Sequence, residues 1–293
     1  MVKQDYHTIN EIRKALASGD IELSVNARIG VECYEDFMEK MDRSEVKLIG
    51  DIVGKACRER FPDAEVTIMG SYRRGKSRSG DVDVLITHRE YMTTTPKGAV
   101  QELVERLRKR GHIAYHLTSL RGFESNESNS GGSIDGISRI PAPSGVRHGS
   151  YSYMGVFNSP VAIGKRRRLD VKFYPYKERP FACLYFTGSG HFNRSMRLWA
   201  RKVKKMRLND KGLFPHSLEF SSFPSEANFS GETLAASNER DVFDLLGLEY
   251  ISPSDRDCFD AVVPKDQRLK FQDSWTEMSQ AEFRQEAESI WIE

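Results

Sequence analysis

Cysteine is scarce in this sequence. The four residues, Cys33, Cys57, Cys183 and Cys258, are scattered without a C-x-x-C spacing. That excludes a zinc knuckle and a disulfide framework and suits a reducing compartment. Apolar runs are short as well, none nearing the roughly 18 residues of a spanning helix, so no membrane partner is expected. The start, MVKQDYHTINEIRK, lacks the continuous apolar stretch of a secretory leader. Net charge is nearly absent, +2 from 44 Lys and Arg against 42 Asp and Glu. What the chain does have, 39% hydrophobic and 29% charged residues over 293 positions, fits folded protein and excludes disorder. That length allows one large domain or two or three smaller ones, each with a core.

The near-zero total hides a split. Residues 217–293 carry 17 acids and 6 bases, leaving 38 bases and 25 acids in the first 216, so the two parts stand at −11 and +13. Such asymmetry points to an anionic partner for the larger part.

Periodicity supplies a coarse map. Apolar residues at helical spacing predict a helix over 44–61 (Val46, Ile49, Ile52, Val53, Ala56) and another over 97–110 (Val100, Leu103, Val104, Leu107), the latter closed by Gly111. Short runs at 66–69, 81–87, 153–157 and 169–174 read as strands. Residues 121–152, rich in Ser, Gly, Asn and Pro, read as a long flexible loop. Residues 192–207 read as one helix with seven bases and no acid. Sequence-independent contact with a phosphate backbone explains that bias better than a solvated face of mixed sign. A weak helical stretch, 280–291, lies near the end.

Side chains at i and i+2 of a strand share a face, so Asp81 and Asp83 project together while Val82 and Val84 turn away. Two carboxylates this close repel unless a cation lies between them, and oxygen ligands suit Mg²⁺ or Mn²⁺. Asp170 alternates in the same way with Leu169 and Val171. Asp-x-Asp alone equally describes two solvated acids on an edge strand. The preceding segment, Gly70-Ser71-Tyr72-Arg73-Arg74-Gly75-Lys76-Ser77-Arg78-Ser79-Gly80, adds meaning. Gly and Ser at a turn offer backbone N–H groups and a hydroxyl to phosphate, and Arg74 offers a bidentate charged contact. A phosphate cradle ahead of a metal-binding carboxylate pair is the layout of two-metal phosphoryl or nucleotidyl transfer.

The segment from Gly70 to His88 resembles the palm signature of family X DNA polymerases. Further blocks follow in order: Arg167-Arg168-Leu169-Asp170-Val171 resembles the strand of the third acid, and Leu184 to Arg197 resembles the sugar- and base-contacting segment. Arg28-Ile29-Gly30, Tyr34, Asp36-Phe37 and Arg43 resemble the end of the fingers. Asp241-Val242-Phe243 with Leu246-Gly247-Leu248 and Tyr250 resembles the close of the nucleotide-selecting subdomain. The likeness spans roughly residues 8–256 and is strongest to the β and λ branch.

The resemblance implies an α+β fold. Its parts would be partial helical fingers (1–43), a nucleotidyltransferase palm of mixed sheet and helices (44–176), a small nucleotide-selecting thumb (177–256) and an extension of unknown role (257–293). It implies catalytic, metal-binding roles for Asp81, Asp83 and Asp170 with two Mg²⁺ ions, Mn²⁺ substituting, and Arg168 orienting Asp170 and contacting DNA. Ser71, Arg74, Gly80 and Lys40 would hold an incoming triphosphate. Lys40 stands where the family usually has Arg, turning a bidentate contact into a point charge. Tyr185 and Phe186 would line the sugar, Gly188 would allow the turn beside them, and Asn193 would read the minor-groove edge of the bound nucleotide. Arg194 and Arg197 would contact DNA. The implied activity is template-directed filling of short gaps in base-excision or double-strand-break repair, by a monomer in the nucleus acting on gapped or primer–template DNA and dNTPs. Template-independent terminal transfer and a non-catalytic DNA-binding remnant are the alternatives. The family's amino-terminal lyase domain and helix-hairpin-helix glycines have no counterpart here, so lyase activity is not expected and the hold on gapped DNA should be weaker. Lys165-Arg166-Arg167-Arg168 also reads as a nuclear-localisation patch.

Overall fold

The computed structural model describes residues 6–118, 151–215, 232–257 and 262–266. Most of the expected loop at 121–152, the helical stretch at 280–291 and Cys258 lie outside them. In chain order the elements are α1 (Ile9–Ser18), α2 (Val25–Glu32), α3 (Tyr34–Met38), β1 (Met41–Asp42), α4 (Arg43–Arg58), β2 (Glu65–Ile68), α5 (Gly70–Arg73), β3 (Arg78–Ser79) and β4 (Asp81–Thr87). Then follow α6 (Ala99–Lys109), β5 (Ile113–His116), β6 (Tyr151–Asn158), β7 (Arg166–Phe173), α7 (Arg179–Thr187), α8 (Gly190–Lys202), β8 (Met206–Leu208), β9 (Leu213–Pro215) and α9 (Glu239–Leu245). This mixture of helices with a mixed sheet is an α+β fold. No helix among the described residues is long and apolar enough to cross a membrane.

The chain divides into two compact units. The first comprises Met1–Pro62, Arg78–Val84 and Pro96–Phe173. Its strands run in the order β4-β7-β6-β5. β6 and β7 pair antiparallel from Tyr151 opposite Phe173 to Asn158 opposite Arg166, and β5 continues the ladder with a register shift between Ile113 and Tyr115. β6 thus starts two residues inside the segment expected as loop, because Tyr151 and Ser152 find ladder partners on β7. Gly155 is required there: a Cβ would fall 2.1 Å from the hydroxyl oxygen of the buried Tyr153. The helices cover the sheet through their apolar stripes, Val46, Ile49, Val53 and Ala56 of α4 and Val100, Leu103, Val104 and Leu107 of α6, all buried.

Beneath α4 lies an ion pair of unusual burial. Arg167 and Glu45, with side chains only 4% and 8% exposed, meet at 2.8 Å. The Ser159 hydroxyl donates to the same carboxylate, and Arg167 Nη1 donates to the carbonyls of Asp36 and Glu39. Burial makes each partner depend on the other.

The second unit comprises Asp63–Ser77, Leu85–Thr95 and Tyr174–Glu293. Here β2 lies beside β4, whose residues from Leu85 onward belong to this unit. The core gathers Phe181 and Leu184 of α7, Phe192, Met196 and Trp199 of α8, and Val242 and Phe243 of α9. Helix α8 opens on Ser189, whose hydroxyl accepts from the Phe192 N–H, and ends at Lys202, five residues before the expected Arg207. The chain then turns at Lys205 (φ 53°), and Met206–Leu208 pairs with Leu213–Pro215. The Asn209 side chain fixes that hairpin by accepting from the N–H groups of Lys211 and Gly212, a turn device stronger than the helical pattern of bases. Arg207 is therefore a strand residue. Past residue 257, Val262 is buried in this core, Leu248 bridges Pro264, and Lys265 pairs with Asp244 at 2.6 Å.

Between β7 and α7, burial raises the Glu178 carboxyl to about 7, with Asp210 adding to the shift and Lys211 opposing it. Its buried Oε2 has no hydrogen-bond partner among the described residues. Nearby, the Tyr174 hydroxyl donates to Asp210.

Two stability predictions follow from these buried acids. Glu45→Ala leaves Arg167 as an uncompensated buried charge and should cost about 3–5 kcal/mol in urea unfolding, with little dependence on salt. Glu178, whose pKa is raised on folding, leaves stability intact below its unfolded value near 4.5 and lowers it as pH rises through about 7. Glu178→Gln should remove that slope and stabilise the protein at pH 8 by about 1–3 kcal/mol; unfolding curves at pH 5 and pH 8 measure both effects.

Candidate active site

Strand alternation builds a carboxylate cluster in the first unit. In β4, Val82 and Val84 are buried while Asp81 and Asp83 face the other side; in β7, Leu169 and Val171 are buried while Asp170 lies between them on the opposite face. β4 and β7 are neighbours, so the three carboxylates gather on one face of the first unit. Burial, followed by the charges of Asp81 and Asp170, raises Asp83 to about 7. Burial also raises Asp170, against the opposing pull of Lys172.

Two cations answer this crowding. Arg168 Nη2 meets Asp81 at 3.0 Å, and Lys172 Nζ lies 3.6 Å from Asp170. The Arg168 guanidinium turns to Asp81 and lies over the Phe37 ring, while Asp170 has its own i+2 neighbour, Lys172. Gly80 sits against this pair, with a Cβ position 3.5 Å from Arg168 Nη2.

The cluster has the donor chemistry of a cation site. Its donors are carboxylate oxygens only, the set that suits a hard divalent ion. Asp170 Oδ1 is buried without a hydrogen-bond partner among the described residues, so one lone-pair site remains unsatisfied. As the side chains stand, no group of three or more described acids, His or Cys meets the spacing of a ready-made metal cage. Arg168 and Lys172 already engage two of the acids, so an arriving ion exchanges those partners. The donor chemistry and the orphaned oxygen fit a divalent metal.

A second group of expected residues lies in the other unit. The Gly70–Ser77 segment forms the single turn of α5, followed by Gly75 at φ 79°. Arg73 pairs with Glu239 of α9 at 2.9 Å and donates to the Thr187 hydroxyl. Arg74 Nη1 donates to the Thr187 carbonyl at 2.6 Å, and its Nε meets Asp257 at 3.1 Å. Gly188 closes α7 at φ 67° ahead of a cis peptide to Ser189. A Cβ there would stand 3.0 Å from Arg74 Nη1. Tyr185 is exposed, edge-on to Phe186 at 5.1 Å, and Phe186 packs against Met69, Leu85, Tyr174 and Ala182. Asn193 Nδ2 donates to the Tyr185 carbonyl at 2.7 Å, so its amide carries a structural bond as well.

The remaining expected residues fall as follows. Lys40 is exposed just before β1, its carbonyl accepting from Arg78. Ser71 is half-buried in α5. Arg194 and Arg197 of α8 each bury a guanidinium Nε without an acceptor among the described residues, and Arg197 lies 6.0 Å over the Tyr185 ring. Burial lowers the pKa of Arg197. The helix is thus partly inset.

Sequence reasoning passed over the Arg73–Glu239–Arg256 network. Arg256, fully buried, donates to Glu239 Oε1 at 2.7 Å and to the Ile251 carbonyl, and its own carbonyl accepts from the Ser189 N–H. Asp257 escaped notice too. The only available signal was a pair of adjacent arginines, one of which needed an internal partner. Gly188→Ala should destabilise the protein by about 1–3 kcal/mol, from the left-handed φ and the crowding of Arg74, as read by thermal or urea unfolding.

Comparison with known proteins places these residues in context. Residues 40–176 match the model of the DNA polymerase beta palm, and residues 182–257 match that of the DNA polymerase beta thumb. DNA polymerase lambda of Rattus norvegicus is 35% identical over 254 residues, covering 87% of this chain and 38% of the relative. The DNA-directed DNA/RNA polymerase mu of Homo sapiens is 32% identical over 244 residues, covering 81% and 45%. The DNA nucleotidylexotransferase of Xenopus laevis is 27% identical over 262 residues, covering 87% and 48%. The chain spans less than half the length of each of these relatives. Palm and thumb of one polymerase follow each other here in order, the three carboxylates inside the first match and Tyr185 to Arg197 inside the second, and the chain belongs to the DNA polymerase β family, family X.

Proposed function

We propose that the chain acts as a template-directed DNA nucleotidyltransferase that fills short gaps during repair, with gapped or primer–template DNA and dNTPs as its substrates. The observation that carries this reading is the gathering of Asp81, Asp83 and Asp170 on one sheet face within a palm match. The relatives' names, polymerases lambda and mu, support it.

Family X members use divalent metal ions, and Mg²⁺ is the ion proposed here, with Mn²⁺ substituting. Asp81, Asp83 and Asp170 would hold such ions, whose chemistry would be Lewis-acid activation of the primer 3′-hydroxyl and charge neutralisation at the leaving pyrophosphate. The chain's own residues do the rest. Asp81 and Asp83 would be ligands to both ions, and Asp170 to the one beside the primer 3′-hydroxyl. Arg168 and Lys172 offset the mutual repulsion of the carboxylate cluster. Ser71, Arg74, Gly80 and Lys40 are assigned to the triphosphate. Tyr185 and Phe186, joined by the Gly188 turn, line the sugar and disfavour a 2′-hydroxyl. Asn193, already fixed to the Tyr185 carbonyl, offers its remaining groups to the minor-groove edge. Arg168, Arg194 and Arg197 are assigned to the DNA strands. A basic helix of this kind supports affinity that falls with salt and ignores sequence. A nuclear site of action accords with repair.

The test is incorporation on a one-nucleotide gap with Mg²⁺ or Mn²⁺, beside an untemplated single-stranded primer. Templated addition on the gap is expected, and addition to the lone primer alone would instead assign terminal transfer. Asp170→Ala should lower extension by at least about a thousandfold, given the size of metal-centred effects, while DNA binding by gel shift stays within about twofold. Full extension by that variant refutes the mechanism.

A further inference from the structure

Arg74 and Lys76, the two bases that close the Gly70–Ser77 segment, share one acid. Asp257 gives Oδ1 to Arg74 Nε at 3.1 Å and Oδ2 to Lys76 Nζ. One carboxylate bridging two cations presents the same pair of anionic oxygens that a phosphate would. The pair is no loose surface contact, since the Arg74 side chain is 15% exposed. Nor is the acid's position free. Its neighbour Arg256 is fully buried and tied to Glu239 and to the Ile251 carbonyl. Glu239 also holds Arg73, the residue before Arg74. Two adjacent rungs, Arg73–Glu239–Arg256 and Arg74–Asp257, thus fix acid and base from both sides.

We propose that Asp257 is an internal competitor for the triphosphate, occupying Arg74 and Lys76 until a nucleotide displaces it and so setting how tightly nucleotides bind. This rests on the assignment of Arg74 to the triphosphate made above. A triphosphate arriving at Arg74 meets a guanidinium already bonded and a carboxylate of like charge beside it. Both terms weaken binding, and both vanish when the acid becomes an amide. Asp257 therefore differs from the residues assigned to hold the nucleotide: removing its charge should improve binding.

The measurement is calorimetric titration of the whole chain with inorganic triphosphate, and separately with a dNTP, at low salt and without DNA. Asp257→Asn should bind inorganic triphosphate about two- to fivefold more tightly than wild type, the scale of a removed partly exposed ion pair. Asp257→Glu, which keeps the charge, should stay near wild type. The gain should disappear when Arg74→Ala is combined with Asp257→Asn. Equal or weaker binding by Asp257→Asn at unchanged melting temperature overturns the proposal, as does a gain that persists without Arg74. If Asp257→Asn melts early, Asp257→Ser is read by the same criteria. Because the titration needs no catalysis, a chain that extends no primer yet shows the tightened binding keeps this inference and loses only the polymerase reading. Absence of binding by both wild type and Asp257→Asn overturns the proposal together with the assignment of Arg74 to the triphosphate, and leaves primer extension to judge the polymerase reading.

Discussion

Mutual repulsion among three carboxylates is the constraint on which the site depends. Asp81, Asp83 and Asp170 are brought together by nothing more than strand alternation, which buries their valine and leucine neighbours on the far face. The apolar stripe therefore enforces the crowding, because turning an acid away would turn a Val into water. Burial in the core thus supports a local arrangement that is itself unfavourable without cations. Arg168 and Lys172 ease it, though Asp170 keeps an unsatisfied oxygen. Stability and chemistry here pull against each other, as is common where function sets the side chains.

The second unit solves a different problem, that of too many adjacent bases. Arg73 and Arg74 are consecutive and both carry side chains into the protein. Each is given its own acid from the far end of the chain, Glu239 for one and Asp257 for the other. These separations of 166 and 183 positions tie the start of the unit to its end. Contacts of that range carry little local signature, so they belong to folding and not to motif.

Legibility in the sequence followed the same division. Alternation over Asp81–Ile86 and helical spacing over Val46–Ala56 are short-range signals, and both elements formed within a few residues of expectation. The acidic face was readable for that reason, and the resemblance supplied the rest. Helix α8 was misjudged at its end because charge, unlike apolar spacing, does not report backbone conformation; the Asn209 turn decided it. The bond from Arg168 to Asp81 spans 87 positions, so no local pattern announces it. Glu45, Glu178 and Glu239 look ordinary in the sequence, and only burial reveals the work each does or the strain each bears.

The pairing of Arg167 with Glu45 has a consequence for how the chain can be read by others. Four consecutive bases, Lys165 to Arg168, look like a linear address when written as letters. On β7 alternate positions point to opposite sides, and Arg167 is enclosed. A receptor that reads an extended basic tetrapeptide would have to peel the strand from its ladder and expose a charge already committed inside. In the folded protein Arg167 is therefore withheld from such a reader, which meets only Lys165, Arg166 and Arg168.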